Sequence, residues 1–207
     1  MPQPRRTARE KLLDSALSVI RQKGYSATTV DDLCHAAGVT KGGFFHHFKS
    51  KEDLAVAAAD HFSRKADSIF VDAPYCALPD PVDRVLGYVA FRRSILQGEL
   101  SEFTCLVGTM VQEAYETHPA IRQACDKSIT EHAAMVEQDI ATAMREVGIA
   151  SDFTPSSLAF HIQAVIQGAF ILAKAKGGPE IATECLDHLI RYLEMLFHVT
   201  GKRETIQ

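Results

Sequence analysis

The chain has 207 residues, of which 46% are hydrophobic and 23% charged, and its formal net charge is −4. A chain of this size and composition folds as a globular protein with one ample core or two small ones. Its five cysteines are irregularly spaced, which argues against a disulfide framework and against a structural zinc site. Because the sequence contains no HExxH or HxH cluster, we predict neither a metal nor another cofactor.

The expected location is the cytoplasm. No apolar run approaches the roughly 20 residues that a membrane-spanning helix needs. The basic N-terminus leads into an amphipathic helix, and no apolar core of a signal peptide follows it.

The charges are unevenly distributed along the chain. Up to Ser50 there are eight Lys and Arg residues against four Asp and Glu residues, a balance of +4, so the whole-chain total of −4 leaves −8 for the remainder. A basic head on an acidic body suggests that only the head meets an anion such as DNA. Chance segregation of charge is the alternative, and the charge count alone does not decide between them.

Four helices are predicted in the first part of the chain, over about 8–23, 30–37, 41–48 and 51–71. Capping residues precede the later three, with an acidic residue three positions after the candidate caps of the second and fourth helices. The first helix carries an apolar stripe at helical spacing, formed by Leu12, Leu13, Ala16, Leu17 and Ile20.

A loop with three prolines, residues 72–81, follows these helices and forms a natural boundary. Five further helices are predicted beyond it, over about 81–97, 105–116, 119–148, 155–177 and 179–199. The sequence therefore predicts an all-α protein with nine helices. We expect one domain over residues 6–66 and a second over residues 67–207.

The stretch from Thr28 to Asp53 is the most informative part of the chain. It predicts two short helices separated by a tight turn at Ala37-Gly38-Val39. This arrangement is how helix-turn-helix proteins place one helix in the DNA major groove. Because the rest of the chain contains no catalytic motif, the functional prediction rests mainly on this stretch.

The run from Thr7 to Ala58 resembles the DNA-binding domain of the tetracycline-repressor (TetR) family. The matching motifs are, in chain order, Ala8-Arg9, Leu12-Leu13, Gly24-Tyr25, Thr28-Thr29-Val30, Ala37-Gly38-Val39, Lys41-Gly42 and His47-Phe48-Lys49-Ser50-Lys51-Glu52. The C-terminal half is similar to one branch of the family at Cys105-Leu106-Val107-Gly108, Glu113, His118-Pro119, Gln167-Gly168-Ala169 and Ala173-Lys174.

The resemblance implies a nine-helix TetR-like architecture. An N-terminal helix-turn-helix domain of three helices binds DNA, and a C-terminal helical domain binds an effector and dimerises. The implied function is a ligand-responsive transcriptional regulator, a repressor that leaves its palindromic operator in response to a small-molecule effector or a thiol-reactive signal. The expected partners are double-stranded DNA, the effector and a second copy of the chain, and no enzymatic activity is expected.

The residues predicted to bind DNA lie in the recognition helix, at its borders and in the N-terminal arm. They are Arg5, Arg6, Thr28, Thr40, Lys41, Gly43, Phe44, Phe45, His46, His47, Lys49 and Lys51. Lys41 lies at the start of the helix, where free N–H groups favour a phosphate, and His46 is the candidate for a base edge. The alternatives are a surface role for His46 and a solvated arm without a role.

Phe44-Phe45 is a departure from the family, which usually has Leu-Tyr at these positions. The family's tyrosine typically donates its hydroxyl to a DNA phosphate, and Phe45 has no such donor. Three alternatives stay open for Phe45: packing against a sugar, packing against a thymine methyl group, or a place in the core.

The resemblance places the effector site among the fourth to eighth helices. The predicted effector-binding residues are Phe62, Tyr88, Phe91, Phe103, Cys105, Thr109, His132 and Gln167. Apolar side chains with a few polar groups are typical of such sites. The alternative for each of these residues is an ordinary place in the core.

Cys105 has a second predicted role as the sensor of a thiol-reactive signal. It lies near a predicted helix N-terminus, which favours the thiolate, but no Lys or Arg lies within four residues of it in the sequence. Inert burial is the alternative.

The last two helices are apolar over an unusually large part of their surface, which predicts a four-helix dimer interface. The residues predicted for it are Ile162, Val165, Ile166, Phe170, Leu189 and Leu193. The alternative is that both stripes complete the core of one subunit.

Two other functions compete with the regulator. One is an all-α enzyme that uses Cys105, or His132 with Glu131 or Glu137, although nothing in the sequence positions a base beside a nucleophile. The other is a dimerising protein whose DNA-binding head has lost its function, which the substitution at Phe45 keeps open.

Overall fold

The computed structural model describes residues 6–149 and 152–199, which form ten α-helices and one 3-10 turn and contain no β-strand. The helices are α1 (Ala8–Lys23), α2 (Val30–Ala37), α3 (Lys41–His47), α4 (Lys51–Phe70), α5 (Pro81–Ser94), α6 (Leu100–Phe103), α7 (Leu106–Ala114), α8 (Pro119–Val147), α9 (Pro155–Lys176) and α10 (Glu180–Leu196). The 3-10 turn covers Pro74–Ala77.

The predicted all-α fold is confirmed, and the helix that the sequence analysis did not separate is α6. This helix has four residues and begins where the Glu99 backbone N–H donates to the Glu102 carboxylate at 2.8 Å. A single turn is too short to display a helical period. The pattern alone therefore does not distinguish this segment from the loop before Cys105.

Threonine caps fix the starts of the first three helices. In each, a threonine hydroxyl accepts the N–H three residues on: Thr7 from Glu10, Thr29 from Asp32 and Thr40 from Gly43. Of the two threonines considered for the second cap, Thr29 takes that place. Thr28 is buried, and its hydroxyl donates to the Gly24 carbonyl at 2.6 Å.

The first of two compact units comprises the chain up to Phe70 together with Glu99–Thr130. In it α1 packs against α2, α3 and α4, and also against α6 and α7. One apolar core joins these helices, and its buried residues include Leu12, Ala16, Ile20, Leu33, Phe44, Leu54, Ala58, Leu106, Met110 and Ile121. The helix-turn-helix therefore shares its core with α7 and the start of α8.

The second compact unit comprises Val71–Gly98 and the chain from Glu131 onward. In it α10 packs against α5 and α9. The buried residues of these three helices include Val85, Val89, Leu158, Ile162, Ile166, Leu186, Leu189 and Leu193. The predicted domain ranges of 6–66 and 67–207 stay a prediction.

α9 corrects the expectation that no segment approaches the length of a membrane span. It has 22 residues, and its most apolar window has a mean hydropathy of 1.4, so it passes by length and composition. Within the second unit, 44% of that window is buried. A core helix needs such a composition, because apolar residues must cover it on several sides.

Candidate nucleic-acid interface

The turn between α2 and α3 sets the direction of the recognition helix. Gly38 ends α2 in the left-handed conformation, with φ of 61°, which glycine adopts without steric cost. The Val39 N–H then donates to the Cys34 carbonyl at 3.0 Å, and Thr40 caps α3. The predicted turn at Ala37-Gly38-Val39 is therefore present, with the N–H groups of Gly38 and Val39 bonded to carbonyls of α2.

α3 has one buried side and one exposed side. Phe44 is fully buried, and its ring lies 5.9 Å from the ring of Phe48. Lys41, Phe45 and His46 are exposed, and Phe45 retains 56% of its accessible surface. The prediction that Phe44 contacts DNA is corrected, because its side chain belongs to the core of the first unit. The same applies to Thr28, which is buried beside α1.

The ammonium group of Lys51 bonds to backbone carbonyls, and its place among the DNA-binding residues stays a prediction. It donates to the carbonyls of Tyr25 at 2.9 Å and Thr28 at 2.8 Å, and it lies 4.3 Å from the centre of the Tyr25 ring. Burial lowers the pKa of Lys51. This half-buried lysine ties the segment between α1 and α2 to the start of α4.

The other two lysines near α3 differ in their partners. Lys41 forms an ion pair with Asp31 at 2.9 Å, and both side chains are exposed, so this pair adds little stability and can exchange for a phosphate. The Lys49 backbone N–H donates to the Asp53 carboxylate at 3.0 Å. No hydrogen bond or ion pair within residues 6–149 and 152–199 engages the Lys49 ammonium group.

His46 and His47 lie next to each other at the end of α3. Their ring centres are 4.9 Å apart in an edge-to-face arrangement. His46 is exposed, whereas His47 is half-buried. Gly43 is half-buried behind them, and a Cβ atom there would approach Val39 Cγ1 to 2.8 Å. Gly43 therefore serves the packing of the turn against the helix.

Arg6, the first described residue of the N-terminal arm, forms an ion pair with Asp14. The Arg6 guanidinium lies 3.0 Å from the Asp14 carboxylate, while Arg5 lies outside the described residues. Lys65 and His61 contact the same carboxylate at 2.6 and 2.9 Å. Burial would raise the pKa of Asp14, but hydrogen bonds from His61 and Lys65 lower it overall.

Three contacts within the first unit connect the end of α1 to α6 and α7. The Arg21 guanidinium donates to the carbonyls of Glu102 and Thr104, both at 3.2 Å. The Ser26 N–H donates to the Glu113 carboxylate at 2.7 Å. The sequence analysis did not predict these contacts of Arg21 and Glu113, because each residue lies more than 80 positions from its partner.

Cys105 is the N-cap residue of α7, as its predicted place at a helix N-terminus requires. Its Sγ accepts the Gly108 N–H at 3.4 Å, and the side chain is half-buried. The Arg21 guanidinium donates to the carbonyl of Thr104, the residue before Cys105, and so places a cation near the thiol. This proximity could not be predicted from the sequence, because Arg21 and Thr104 are 83 positions apart. Phe62, Phe103 and Thr109 lie in the same unit and are half-buried.

The second unit holds a buried polar network that includes two of the predicted effector residues. Tyr88 and His132 lie 2.8 Å apart, and the Gln163 amide donates to the Tyr88 hydroxyl at 2.9 Å. Burial, with a smaller effect of Arg92, lowers the pKa of His132 to about 3, so the ring is neutral at physiological pH. The Tyr88 hydroxyl thus accepts from the Gln163 amide and shares a hydrogen bond with Nε2 of His132.

The predicted effector residues include Gln167 but not Gln163. Gln163 is buried, whereas Gln167, one turn later, is half-buried. α9 carries two amides, and the sequence alone does not show which of them is buried and therefore needs hydrogen-bonding partners. Phe91, also predicted, lies in the same unit with its ring 6.0 Å from that of Tyr75.

The predicted dimer residues are mostly internal to one subunit. Five of the six are buried inside the second unit, and Val165 is half-buried; the buried ones are Ile162, Ile166, Phe170, Leu189 and Leu193. For the five buried residues this corrects the assignment, because their side chains fill the core between α5, α9 and α10, whereas Val165 stays a prediction. The exposed apolar residues of α9 and α10 are instead Phe160, Ile171, Leu172, Tyr192 and Met195.

Two family models match the chain. The model of bacterial regulatory proteins of the tetR family matches residues 12–58, which contain the helix-turn-helix. The model of the tetracyclin repressor-like C-terminal domain matches residues 81–189.

Similar proteins extend over most of the chain. It is 26% identical over 177 residues to the transcriptional regulator AcuR of Cereibacter sphaeroides, covering 84% of this chain and 79% of AcuR. It is 28% identical over 180 residues to the HTH-type transcriptional repressor DhaR of Mycobacterium sp. strain GP1, covering 85% and 87%. A solved TetR transcriptional regulator from Chloroflexus aurantiacus has a TM-score of 0.78 at 26% identity, covering 90% of this chain and 93% of that one.

The helix-turn-helix geometry and the family matches lead to one conclusion. The C-terminal model alone covers more than half of the chain, and the N-terminal model covers the turn and recognition helix just described. The chain belongs to the TetR family of bacterial transcriptional regulators.

Proposed function

We propose that this regulator binds a palindromic operator as a homodimer and represses transcription until an effector releases it. The observation that carries the proposal is the exposed side of α3, where Lys41, Phe45 and His46 are exposed on a helix that follows a tight turn. Lys49 lies directly after this helix and adds a positive charge. The similar protein DhaR is named as a repressor, which favours repression over activation here.

The release mechanism is geometric. Two recognition helices in one dimer read successive major grooves when they lie about 34–36 Å apart. The effector changes this spacing by moving the helices that support the head. In the first unit the bonds from Arg21 to Thr104 and from Ser26 to Glu113 join α1 and its following turn to α6 and α7. A shift of α6 and α7 would therefore carry α1 and the helix-turn-helix with it.

The effector is a small molecule that meets aromatic side chains and a few uncharged polar groups. In the second unit Tyr88, His132 and Gln163 supply such groups, and the neutral ring of His132 favours a hydrogen-bonding partner over an ion pair. The residues that stay predicted effector contacts are Phe91 and Gln167 in this unit and Phe62, Phe103 and Thr109 in the first unit.

A thiol-reactive signal acting at Cys105 is the second means of release. The half-buried thiol caps α7, and Arg21 bonds to the carbonyl just before it. Modification of Cys105 would disturb the cap and the Arg21 contact together.

The homodimer forms through the exposed apolar residues of α9 and α10. Phe160, Ile171 and Leu172 on α9 and Tyr192 and Met195 on α10 are at least 40% exposed, although all five are large and apolar or aromatic. A partner that covers them removes this surface from water. The regulator acts in the cytoplasm, and the proposal includes no enzymatic activity.

A gel-shift titration with DNA from upstream of the protein's own gene tests the proposal. We expect a sequence-specific shift whose affinity falls with salt, with a slope of about 0.9 per phosphate contact. Lys49→Ala should weaken binding to specific and random DNA alike and reduce the slope. Lys127→Ala, which removes an exposed charge on α8, is the matched control and should leave both unchanged.

The contrary results are equally clear. A protein that shifts specific and random DNA with the same affinity would contradict the operator proposal. If Lys49→Ala altered sequence preference while the salt slope stayed the same, the phosphate role of Lys49 would be wrong.

A further inference from the structure

Of the side chains that most often read bases, α3 exposes only Lys41. Residues 39–47 contain no Arg, Asn, Gln, Asp or Glu. Those residues make bidentate or accepting hydrogen bonds with base edges in the major groove. The side chains that α3 does expose are Lys41, Phe45 and His46, so hydrogen bonding supplies only part of the sequence recognition.

Phe45 is placed at the centre of this exposed side. Its side chain retains 56% exposure, whereas the adjacent Phe44 has none. The two rings meet edge to face with centres 5.1 Å apart, which holds the Phe45 ring against the helix. The structure thus rules out the core as the location of Phe45 and leaves an oriented aromatic ring in solvent.

Gly42 leaves the helix surface beside Phe45 without a side chain. A Cβ atom at Gly42 would have open space, since its nearest neighbour is Thr40 Oγ1 at 3.9 Å, and this glycine has no positive φ. Neither packing nor backbone conformation therefore requires glycine there. Positions 42, 45 and 46 are spaced as neighbours on one helical face of α3. Gly42 thus allows the α3 backbone to come close to a ligand that contacts Phe45.

Positive charge borders the apolar centre. Lys41 and Lys49 lie before and after Phe45, and the Arg9 guanidinium lies 5.4 Å from the centre of the Phe48 ring at the end of α3. An apolar spot between cations is complementary to the major groove of DNA, where phosphates flank the base edges. The apolar group that a base presents in that groove is the thymine methyl.

We propose that the Phe45 ring reads the 5-methyl group of a thymine in each operator half-site. This inference rests on the proposed operator binding. Contact with the ring removes both the methyl group and the exposed aromatic carbons from water. The contact is specific because cytosine, adenine and guanine present no methyl group at that position.

Replacement of thymine by deoxyuridine isolates this contact. Deoxyuridine keeps the base pair and every hydrogen-bonding group and lacks only the methyl. Losing the burial of one such group is expected to weaken binding about fourfold in one half-site, and roughly 15-fold when both half-sites are changed. Substitution of thymines outside the contact should leave affinity unchanged.

The experiment is a deoxyuridine scan of the footprinted operator with the full-length protein, measured by fluorescence anisotropy. Wild type should show the loss at one symmetric pair of positions. Phe45→Ala should bind more weakly and show no further loss at that pair, whereas Phe45→Tyr, which keeps the ring, should respond like wild type. Circular dichroism checks that Phe45→Ala remains folded, as its exposed side chain leads us to expect.

Three outcomes would overturn the inference. In the first, the operator binds specifically but the scan is flat, and Phe45 then contacts a sugar or another feature that all nucleotides share. In the second, the loss at a thymine persists at full size in Phe45→Ala, and another side chain then reads the methyl group. In the third, no DNA is bound specifically, which overturns the proposed function as well and is thereby distinguished from the first two.

Discussion

The two adjacent glycines of α3 occupy different environments. A Cβ atom at Gly43 would lie 2.8 Å from Val39 Cγ1, which is closer than carbon atoms pack, and Val39 is a stiff β-branched residue in the turn. At Gly42 the same atom would meet open space. Gly43 is therefore needed for folding of the turn, whereas Gly42 is available for function.

This contrast gives a prediction for matched alanine variants. Gly42→Ala should raise the free energy of unfolding by up to about 1 kcal/mol, because alanine is the better helix former. Gly43→Ala should be less stable than Gly42→Ala by about 1–3 kcal/mol, because it overpacks the turn. Urea denaturation of both variants measures the difference. Equal stability of the two would contradict the packing assigned to Val39.

Single residues of α3 also show where sequence reasoning reaches its limit. The helix-turn-helix was predictable, because caps and the turn glycine are local signals. The opposite placement of Phe44 and Phe45 was not predicted, since seven residues contain too few turns to display a buried side. Lys51 shows the same limit: its charge suggested DNA, but its partners are carbonyls at Tyr25 and Thr28, more than 20 positions away.

Among whole elements, α9 and α10 show how packing resolves an ambiguous pattern. Both helices were correctly predicted from their apolar residues and bounding prolines and glycines. A helix that is apolar over most of its surface has no single side that the sequence marks as internal. Packing between α9, α10 and α5 buries Ile162 and Leu189 and leaves Ile171 and Met195 exposed. The contact side depends on neighbours far away in the chain.

A charge introduced on the exposed side tests the proposed dimer. The Met195 side chain is 70% exposed, so the double variant Ile171→Glu with Met195→Glu should fold and remain monomeric. Two charges would otherwise be buried against an apolar partner. Analytical ultracentrifugation measures the mass in solution. Val71→Glu, at a position that is 67% exposed and lies outside both helices, is the control and should stay dimeric.

A dimer that persists in the double variant would place the interface elsewhere. Leu189→Glu would not be a test of the interface, because Leu189 is buried. It would introduce a charge into the core of one subunit and unfold the second unit, so loss of the dimer in that variant would not identify an interface.

For the whole molecule, the decisive question is how a signal reaches the helix-turn-helix. Cys105 begins α7, and the carbonyl just before it accepts from Arg21 near the end of α1. Cys105, Arg21 and the recognition helix lie in one compact unit with one core. A chemical change at the thiol therefore has a short structural connection to the head.

The thiol hypothesis predicts opposite responses of two cysteine variants. A thiol-reactive compound should release DNA from the wild-type protein, whereas Cys105→Ser should remain bound, and serine keeps a capping group at α7. Cys76→Ser removes an exposed cysteine outside the first unit and should respond like wild type. Fluorescence anisotropy with labelled operator measures the release. An unchanged response of Cys105→Ser would leave the non-covalent effector as the only signal.

The shared core of the first unit also has a consequence for synthesis of the protein. This unit uses residues up to Phe70 and then Glu99–Thr130, with 28 residues of the second unit between them. Nascent chains emerge at roughly 5–20 residues per second. For several seconds Leu12, Ile20 and Leu54 are therefore outside the ribosome without Leu106 and Met110, which complete their core. We expect the growing chain to be sensitive to proteases, and to need chaperones most, until α7 and the first part of α8 have emerged.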